Sequence, residues 1–311
     1  VGFSCGDDDD NNITEIPEAD RTEQQVIDND SLIGYLQTHY INQLNLINNP
    51  LVSFNDIVIN ELPEDGELPE PDQNSLLIDL VETFTTTYLD VEYEYYVIRV
   101  NQGGSENSPN FSDRVRVSYE GTLMNNTIFD SSISPVDFDL TATIAGWGRV
   151  LPEFNNAEDF TINSDGTVTY NNPGIGIMFL PSGLGYYSAA AGSVPVYSNL
   201  IFKFKIFQSE YNDHDYDNVP SHLEDLNANY DLTDDDSDND SFADFVDSDD
   251  DNDGTLTVDE DLEPDTDLTV DRDGDGDPTN DIGDGDPTND DTDGDGIPNY
   301  LDPDNSESRD D

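Results

Sequence analysis

Between residues 115 and 147 apolar and polar positions alternate, break off, and alternate again. Val115, Val117 and Tyr119 face one way and Arg116, Ser118 and Glu120 the other, the period-two pattern of a half-buried strand. Gly121 interrupts the run, and Asn125 and Asn126 lie in a short polar gap between Leu123 and Ile128, so the pattern predicts a hairpin. The returning strand brings Phe129 and Asp130 up together. The chain then passes Pro135, Phe138 and Leu140 to reach Ile144, Gly146 and Trp147.

Upstream, residues 22–41 predict a helix, with Ile33, Leu36 and Tyr40 at helical spacing and Asp30 or Ser31 placed to cap its start. Residues 63–71 hold Pro63, Pro69 and Pro71 around a Glu-Asp-Gly turn and read as a linker or exposed loop. A second amphipathic segment, 75–84, carries Leu76, Leu77, Leu80 and Val81. Both segments read as a helical extension packed on the next domain. Tyr95, Val97 and Val100 begin an edge strand, followed by a Gly, Ser and Asn loop over 101–111. Beyond Trp147, residues 148–157 predict a short helix that Pro152 either enters in its first turns or breaks. Phe160, Ile162, Val168 and Tyr170 flank Asp165 and Gly166 as a further hairpin. Strands resume at Ile177, Phe179 and Leu180 and over 200–207, where Phe202, Phe204 and Ile206 share one face.

Within 115–207 the landmarks resemble the FKBP-type peptidyl-prolyl isomerases. They are Tyr119-x-Gly121-x-Leu123, Phe129-Asp130-Ser131-Ser132, Phe138-x-Leu140, Ile144-x-Gly146-Trp147, Leu184-Gly185-Tyr186, Val194-Pro195 and Leu200-Ile201-Phe202, in the family's order. The resemblance implies an α+β fold, an antiparallel sheet wrapped on a short helix, occupying residues 87–210. It implies catalysis of X-Pro rotation in an apolar bowl that needs no cofactor. Trp147 would be the floor, Tyr119, Phe129, Tyr186 and Phe202 the walls, and Val194 the rim. Asp130 would orient polar neighbours, and the Ile144 N–H would hold the carbonyl after the proline. The chain departs from the family at Val136, where many members carry an aromatic, at Thr143, where Val is usual, and in the insertion after Glu158, which could shade the pocket. These departures keep open a second reading, a non-catalytic adhesion or chaperone protein that uses the fold as a binding module.

Charge changes the picture for the remainder. Against 72 acidic residues stand only 9 Lys and Arg, a net charge of −63, so the surface is unsuited to nucleic acid, whose phosphates need basic partners, and suited to cations. No run approaches the ~20 apolar residues of a membrane-spanning helix. The sole cysteine, Cys5, can form no internal disulfide. It follows Val-Gly-Phe-Ser and precedes Gly6 and four aspartates, which resembles the lipidated cysteine and acidic tether of bacterial surface lipoproteins, although Gly2 stands where a larger apolar residue is usual. That resemblance implies a tether over 1–10, ahead of the extension over 11–86. It also implies an extracytoplasmic protein whose membrane partner is reached through lipid on Cys5, anchored to the outer membrane on a face left open. The other partners would be proline-containing polypeptides.

Residues 211–311 hold over half of the chain's acidic residues, and spacing separates them from a merely solvated tail. Asp249, Asp251, Asp253, Gly254, Leu256, Thr257 and Glu260 fall on positions 1, 3, 5, 6, 8, 9 and 12 of an EF-hand loop, whose alternating oxygens surround Ca²⁺. The frame recurs at Asp213, Asp215, Asp217 and Glu224, at Asp236, Asp238, Asp240 and Asp247, and at Asp291, Asp293, Asp295 and Asp302. Between them Asp-Gly-Asp-Pro-Thr-Asn-Asp repeats at Asp275 and Asp284. The last copy resembles thrombospondin type 3 repeats, which implies an irregular chain wrapped around structural Ca²⁺ and rigid only when loaded.

Overall fold

The computed structural model describes residues 18–262 and 285–308; Cys5 with its tether and the repeat at Asp275 lie outside them. The chain opens with α1 (Arg21–Thr38), capped by Asp20, whose carboxylate accepts N–H bonds from Thr22 and Glu23. Expectation put the cap at Asp30 or Ser31 and the end at 41. The helix stops three residues sooner because His39 turns extended and β1 (His39–Ile41) pairs with β2 (Ile59–Glu61) and β3 (Ser75–Leu76). Its buried face is Gln25, Asp28, Leu32, Tyr35 and Leu36. That face includes two polar residues an apolar search passes over.

The segment over 75–84 is not a helix. After β3 it makes one 3₁₀ turn, Leu77–Asp79, and enters β4 (Glu82–Tyr88), where Thr83, Thr85, Thr86 and Thr87 suit a strand better than a helix. β4 pairs along its whole length with β5 (Val91–Asn101), so β5 is an interior strand rather than the edge. β6 (Arg114–Leu123) and β7 (Ile128–Asp139) form the expected hairpin, turning with Asn126 at φ 64°. The next helix, α2 (Ala145–Val150), starts three residues earlier than expected. It tightens to a 3₁₀ turn at Leu151–Glu153, since Pro152 has no N–H and its ring would clash with a carbonyl one turn back. β8 (Asp159–Ile162) and β9 (Val168–Asn171) are the inserted hairpin, and β10 (Gly174–Leu180) and β11 (Leu200–Glu210) complete the main sheet.

That sheet runs β4-β5-β10-β11-β6-β7, with each neighbouring pair antiparallel. Alternation along its strands feeds two cores. Tyr93, Tyr95 and Val97, Met178 and Leu180, and Phe202, Phe204 and Ile206 pack under α2 with Trp147, Val150 and Phe154. Tyr96, Ile98, Val100, Ile175, Ile177 and Phe179 pack on the other face against Leu32, Tyr35 and Leu36 of α1. Both faces of β10 are therefore covered, which explains its unbroken apolar run. The described part of the acidic region, by contrast, holds no strand, only loops and short 3₁₀ turns.

Candidate functional site

Trp147 enters the α2-side core from the first turn of α2, beneath a ring of aromatics. Its indole lies 5.0 Å from Phe202, 5.6 Å from Phe138, 5.8 Å from Tyr119 and 6.0 Å from Phe204, centroid to centroid. The Tyr119, Phe138 and Phe204 contacts are edge-on, the arrangement in which ring quadrupoles attract. Gly146 admits this approach, since a Cβ there would sit 2.3 Å from Leu180 Cδ1. Trp147 is 4% exposed and packs as part of that core.

Phe129 reaches the bowl through an irregularity in the hairpin. Gly121 pairs with Asp130 and Thr122 with Ile128, leaving Phe129 as the bulged residue, its ring edge-on to Phe202 at 5.4 Å. A bulge re-aims a side chain in this way. Gly121 lies under both rings.

Around the lip, Phe129, Val136, Phe138, Ile144 and Tyr186 are partly buried against the core. Tyr119 donates to Asp130 Oδ2 at 2.6 Å, and burial followed by that bond pushes its hydroxyl above the usual tyrosine range. Burial, then the Asp130 charge, does the same to Tyr186. Ile144 is the extended N-cap of α2 (φ −65°, ψ 145°), and among the described residues its N–H meets no acceptor. Thr143 donates its hydroxyl to Leu140 O at 2.8 Å, holding the 3₁₀ turn that leads into α2.

Two expectations need correction. Val194 is not at the rim but buried, because the tight turn from Ala191, with Gly192 at φ 59°, folds it into the core. The inserted hairpin does not shade the bowl. Tyr170 stacks on Phe207 at 4.6 Å, and Phe207 stands five residues beyond Phe202, about 17 Å along the strand. Phe138 was not expected among the walls, although its position, an even step along the same face as Val136, carried the signal.

The acidic loops repeat one backbone. In frames starting at Asp213, Asp236, Asp249 and Asp291, the fourth and sixth residues are left-handed: Tyr216 69° and Asn218 78°, Asn239 62° and Ser241 87°, Asn252 56° and Gly254 100°, Gly294 78° and Gly296 99°. The opening carboxylates accept their own loops' N–H groups: Asp213 from Tyr216 and Asn218, Asp236 from Asp240 and Ser241, Asp291 from Gly294 and Gly296. Oxygens of Asp236, Asp238 and Asp240, of Asp249, Asp251 and Asp253, and of Asp291, Asp293 and Asp295 converge within 4.8 Å. In the first loop Asp215, Asp217 and Glu224 converge with Asp250, which belongs to a different loop and which linear spacing left out. Asp213, Asp247, Glu260 and Asp302 stand outside these groups, although Glu260 is fully buried with both oxygens unpaired.

Both carboxylate oxygens of Asp215, Glu224 and Asp250 are likewise buried without a hydrogen-bond partner. Burial pushes Glu224 and Asp250 up to about 10 and raises Asp215 and Asp217. Desolvated carboxylates this close need a cation or protons, and an all-oxygen donor set suits a hard divalent ion.

Comparison with known proteins bears on the bowl. The family model described as FKBP-type peptidyl-prolyl cis-trans isomerase matches residues 105–207. The chain is 45% identical over 56 residues to the peptidyl-prolyl cis-trans isomerase Mip of Coxiella burnetii, covering 17% of this chain and 24% of that protein. To the FKBP-type isomerase FkpA of Aeromonas hydrophila it is 31% identical over 124 residues, 39% of this chain and 40% of the relative. It spans less than half the length of these two relatives. FK506-binding protein 1 of Kluyveromyces lactis is 30% identical over 89 residues, 27% of this chain but 78% of that protein. With an aromatic cluster around Trp147 on an antiparallel sheet, and a relative covered over most of its length, the chain belongs to the FKBP-type peptidyl-prolyl cis-trans isomerase family.

Proposed function

We propose that the chain is a peptidyl-prolyl cis-trans isomerase acting on exported or surface polypeptides, with a C-terminal spacer stiffened by Ca²⁺. The single observation that carries the first part is the buried indole of Trp147 ringed by Tyr119, Phe138 and Phe202, with Phe129 and Tyr186 at the lip. Amide resonance sets a rotation barrier of about 18–20 kcal/mol. Twisting the prolyl bond abolishes that resonance and leaves a less polar amide, so an apolar bowl favours the twisted state over the planar one. Rotation breaks no covalent bond and asks for no nucleophile. The Ile144 N–H would hold the carbonyl after the proline, and the Tyr119–Asp130 hydrogen bond would orient the polar side of the lip.

The purified protein should accelerate isomerisation of an X-Pro peptide, and Trp147→Ala should lose at least about tenfold at equal folded fraction. Wild type no faster than Trp147→Ala refutes catalysis. The second reading, a prolyl-binding module without turnover, draws support from Val136, which offers the lip less apolar surface than an aromatic.

The buried unpaired oxygens of Asp215, Glu224, Asp250 and Glu260 support the calcium reading. Asp215, Asp217, Glu224 and Asp250 would hold one ion, and the triplets opening at Asp236, Asp249 and Asp291 the others; bound ions would supply the charge that lets these loops pack. Attachment through lipid on Cys5 to a bacterial outer membrane completes the reading. Its test is whether Cys5→Ser releases the protein from the membrane fraction.

A further inference from the structure

The loop between β10 and β11, residues 181–199, carries two of the expected bowl residues, Tyr186 and Val194, and is gripped from outside by residues 18–28. Asp28, 3% exposed on the inner face of α1, accepts from both the N–H of Ser182 at 2.8 Å and its hydroxyl at 2.5 Å. Gln24 Nε2 donates to the other carboxylate oxygen at 2.7 Å, and Asn199 Nδ2 donates to the Asp28 carbonyl at 3.0 Å. Ser182 passes the constraint on. Its carbonyl accepts the N–H of Gly185 at 2.9 Å and of Tyr187 at 3.0 Å, on either side of Tyr186.

A second grip acts a few residues further along. Tyr187 and Tyr197 both adopt left-handed backbone, φ 49° and 56°, a conformation unfavourable for a residue with a bulky side chain. Their rings meet edge-on at 5.1 Å, and both hydroxyls engage the backbone of Ala19: Tyr187 donates to its carbonyl at 2.5 Å, and its N–H donates to Tyr197 at 2.9 Å. The Arg21 guanidinium lies 4.0 Å over the Tyr187 ring, and Ser188 donates to Glu18 at 2.9 Å. These bonds join residues more than 150 positions apart.

We infer that residues 18–28 are a built-in clamp on the wall of the bowl, with Asp28 the positioning residue that sets Tyr186 through Ser182. The clamp rests on the isomerase reading for its consequence in rate but not for its existence. It prepays the ordering of a loop that would otherwise be ordered on each encounter with a substrate.

Hydrogen exchange and X-Pro isomerisation measured on the full chain test it together. Asp28→Ala should speed exchange in 181–199 by about tenfold or more, as loss of the buried hydrogen bonds to Ser182 implies, while β6, β7 and β11 hold their protection. Its kcat/KM should fall by a similar factor. Asp28→Asn keeps an acceptor for Ser182 and should recover most of both. If Asp28→Ala does not fold, the Tyr187→Phe, Tyr197→Phe double variant, which removes only two hydroxyls, should raise exchange in the same segment. Unchanged exchange over 181–199 in a folded variant overturns the clamp, as does a rate loss that Asp28→Asn shares in full. If wild type shows no turnover the isomerase reading fails, and the exchange data still decide the clamp.

Discussion

Replacing Gly121 with Ala changes the bowl without deleting any residue in it. The new methyl would lie 2.7 Å from Phe129 Cζ and 2.7 Å from Phe202 Cε1, against an optimal carbon separation of about 3.5–4.0 Å, so each ring must retreat by roughly 1 Å. Both rings are anchored, Phe202 in the interior strand β11 and Phe129 by its bulge, so the strain is shared between wall and sheet. Overpacking of this kind costs about 1–3 kcal/mol of stability and leaves a domain of this size folded. Splaying the walls by that distance removes close contact with a twisted prolyl ring, and a misplacement of about 1 Å can lower the rate by as much as ~100-fold. The assay is kcat/KM on an X-Pro peptide at matched folded fraction, fixed by urea denaturation. Gly174→Ala is the control: its methyl would press on Asn155 O and Ile206 Cγ2, each at 2.6 Å, with comparable strain at the far end of β11. Gly121→Ala should lose at least about tenfold while Gly174→Ala stays near wild type. Equal activity in Gly121→Ala and wild type, or an equal loss in both variants, would refute the steric reading of the bowl.

Calorimetric titration with Ca²⁺ should show saturable binding that Glu224→Gln and Asp250→Asn each weaken, and chelation should lower the unfolding temperature of the acidic region; a site saturated at 100 Kd contributes about 2.7 kcal/mol. An unaltered isotherm in Asp250→Asn would remove that residue from the site. Asp113, 1% exposed and pushed up by burial to about 6, binds its proton more tightly folded than unfolded. Its contribution therefore opposes folding above pH 6 and is relieved as pH falls towards 4, by about 3 kcal/mol at most. Denaturation midpoints at pH 7 and pH 5 should differ less in Asp113→Asn than in wild type, and identical differences would dismiss it. Arg149, buried on α2, donates to Tyr230 O at 3.2 Å and to Thr86 at 3.0 Å while lying 4.6 Å over the Tyr230 ring. Arg149→Leu should loosen residues 225–235 from the sheet domain, seen as about a tenfold rise in exchange there for a loss near 1.4 kcal/mol; unchanged protection would show that other contacts hold the segment.

Much of this protein was written locally. The β6–β7 hairpin, the inserted hairpin at Asp165 and Gly166, and Trp147 behind Gly146 follow from alternation, turn residues and short landmarks. The four acidic frames follow from spacing of two residues between carboxylates. Each of these is set by neighbours within a dozen positions, which is the range over which periodicity and turn chemistry act.

What the sequence left undetermined depended on partners far along the chain. β4 is a strand because β5 offers it a ladder, whereas its leucine-rich approach reads as helix in isolation. Asp28 faces inward because Ser182, 154 residues away, satisfies it, so the buried face of α1 contains a charge that amphipathic patterning assigns to solvent. Val194 is core rather than rim because of how its turn closes, and Asp250 joins the first acidic loop because two loops pack together. Burial and pairing are properties of the assembled molecule: desolvation decides whether a polar group can sit inside, and only the fold says which distant group compensates it.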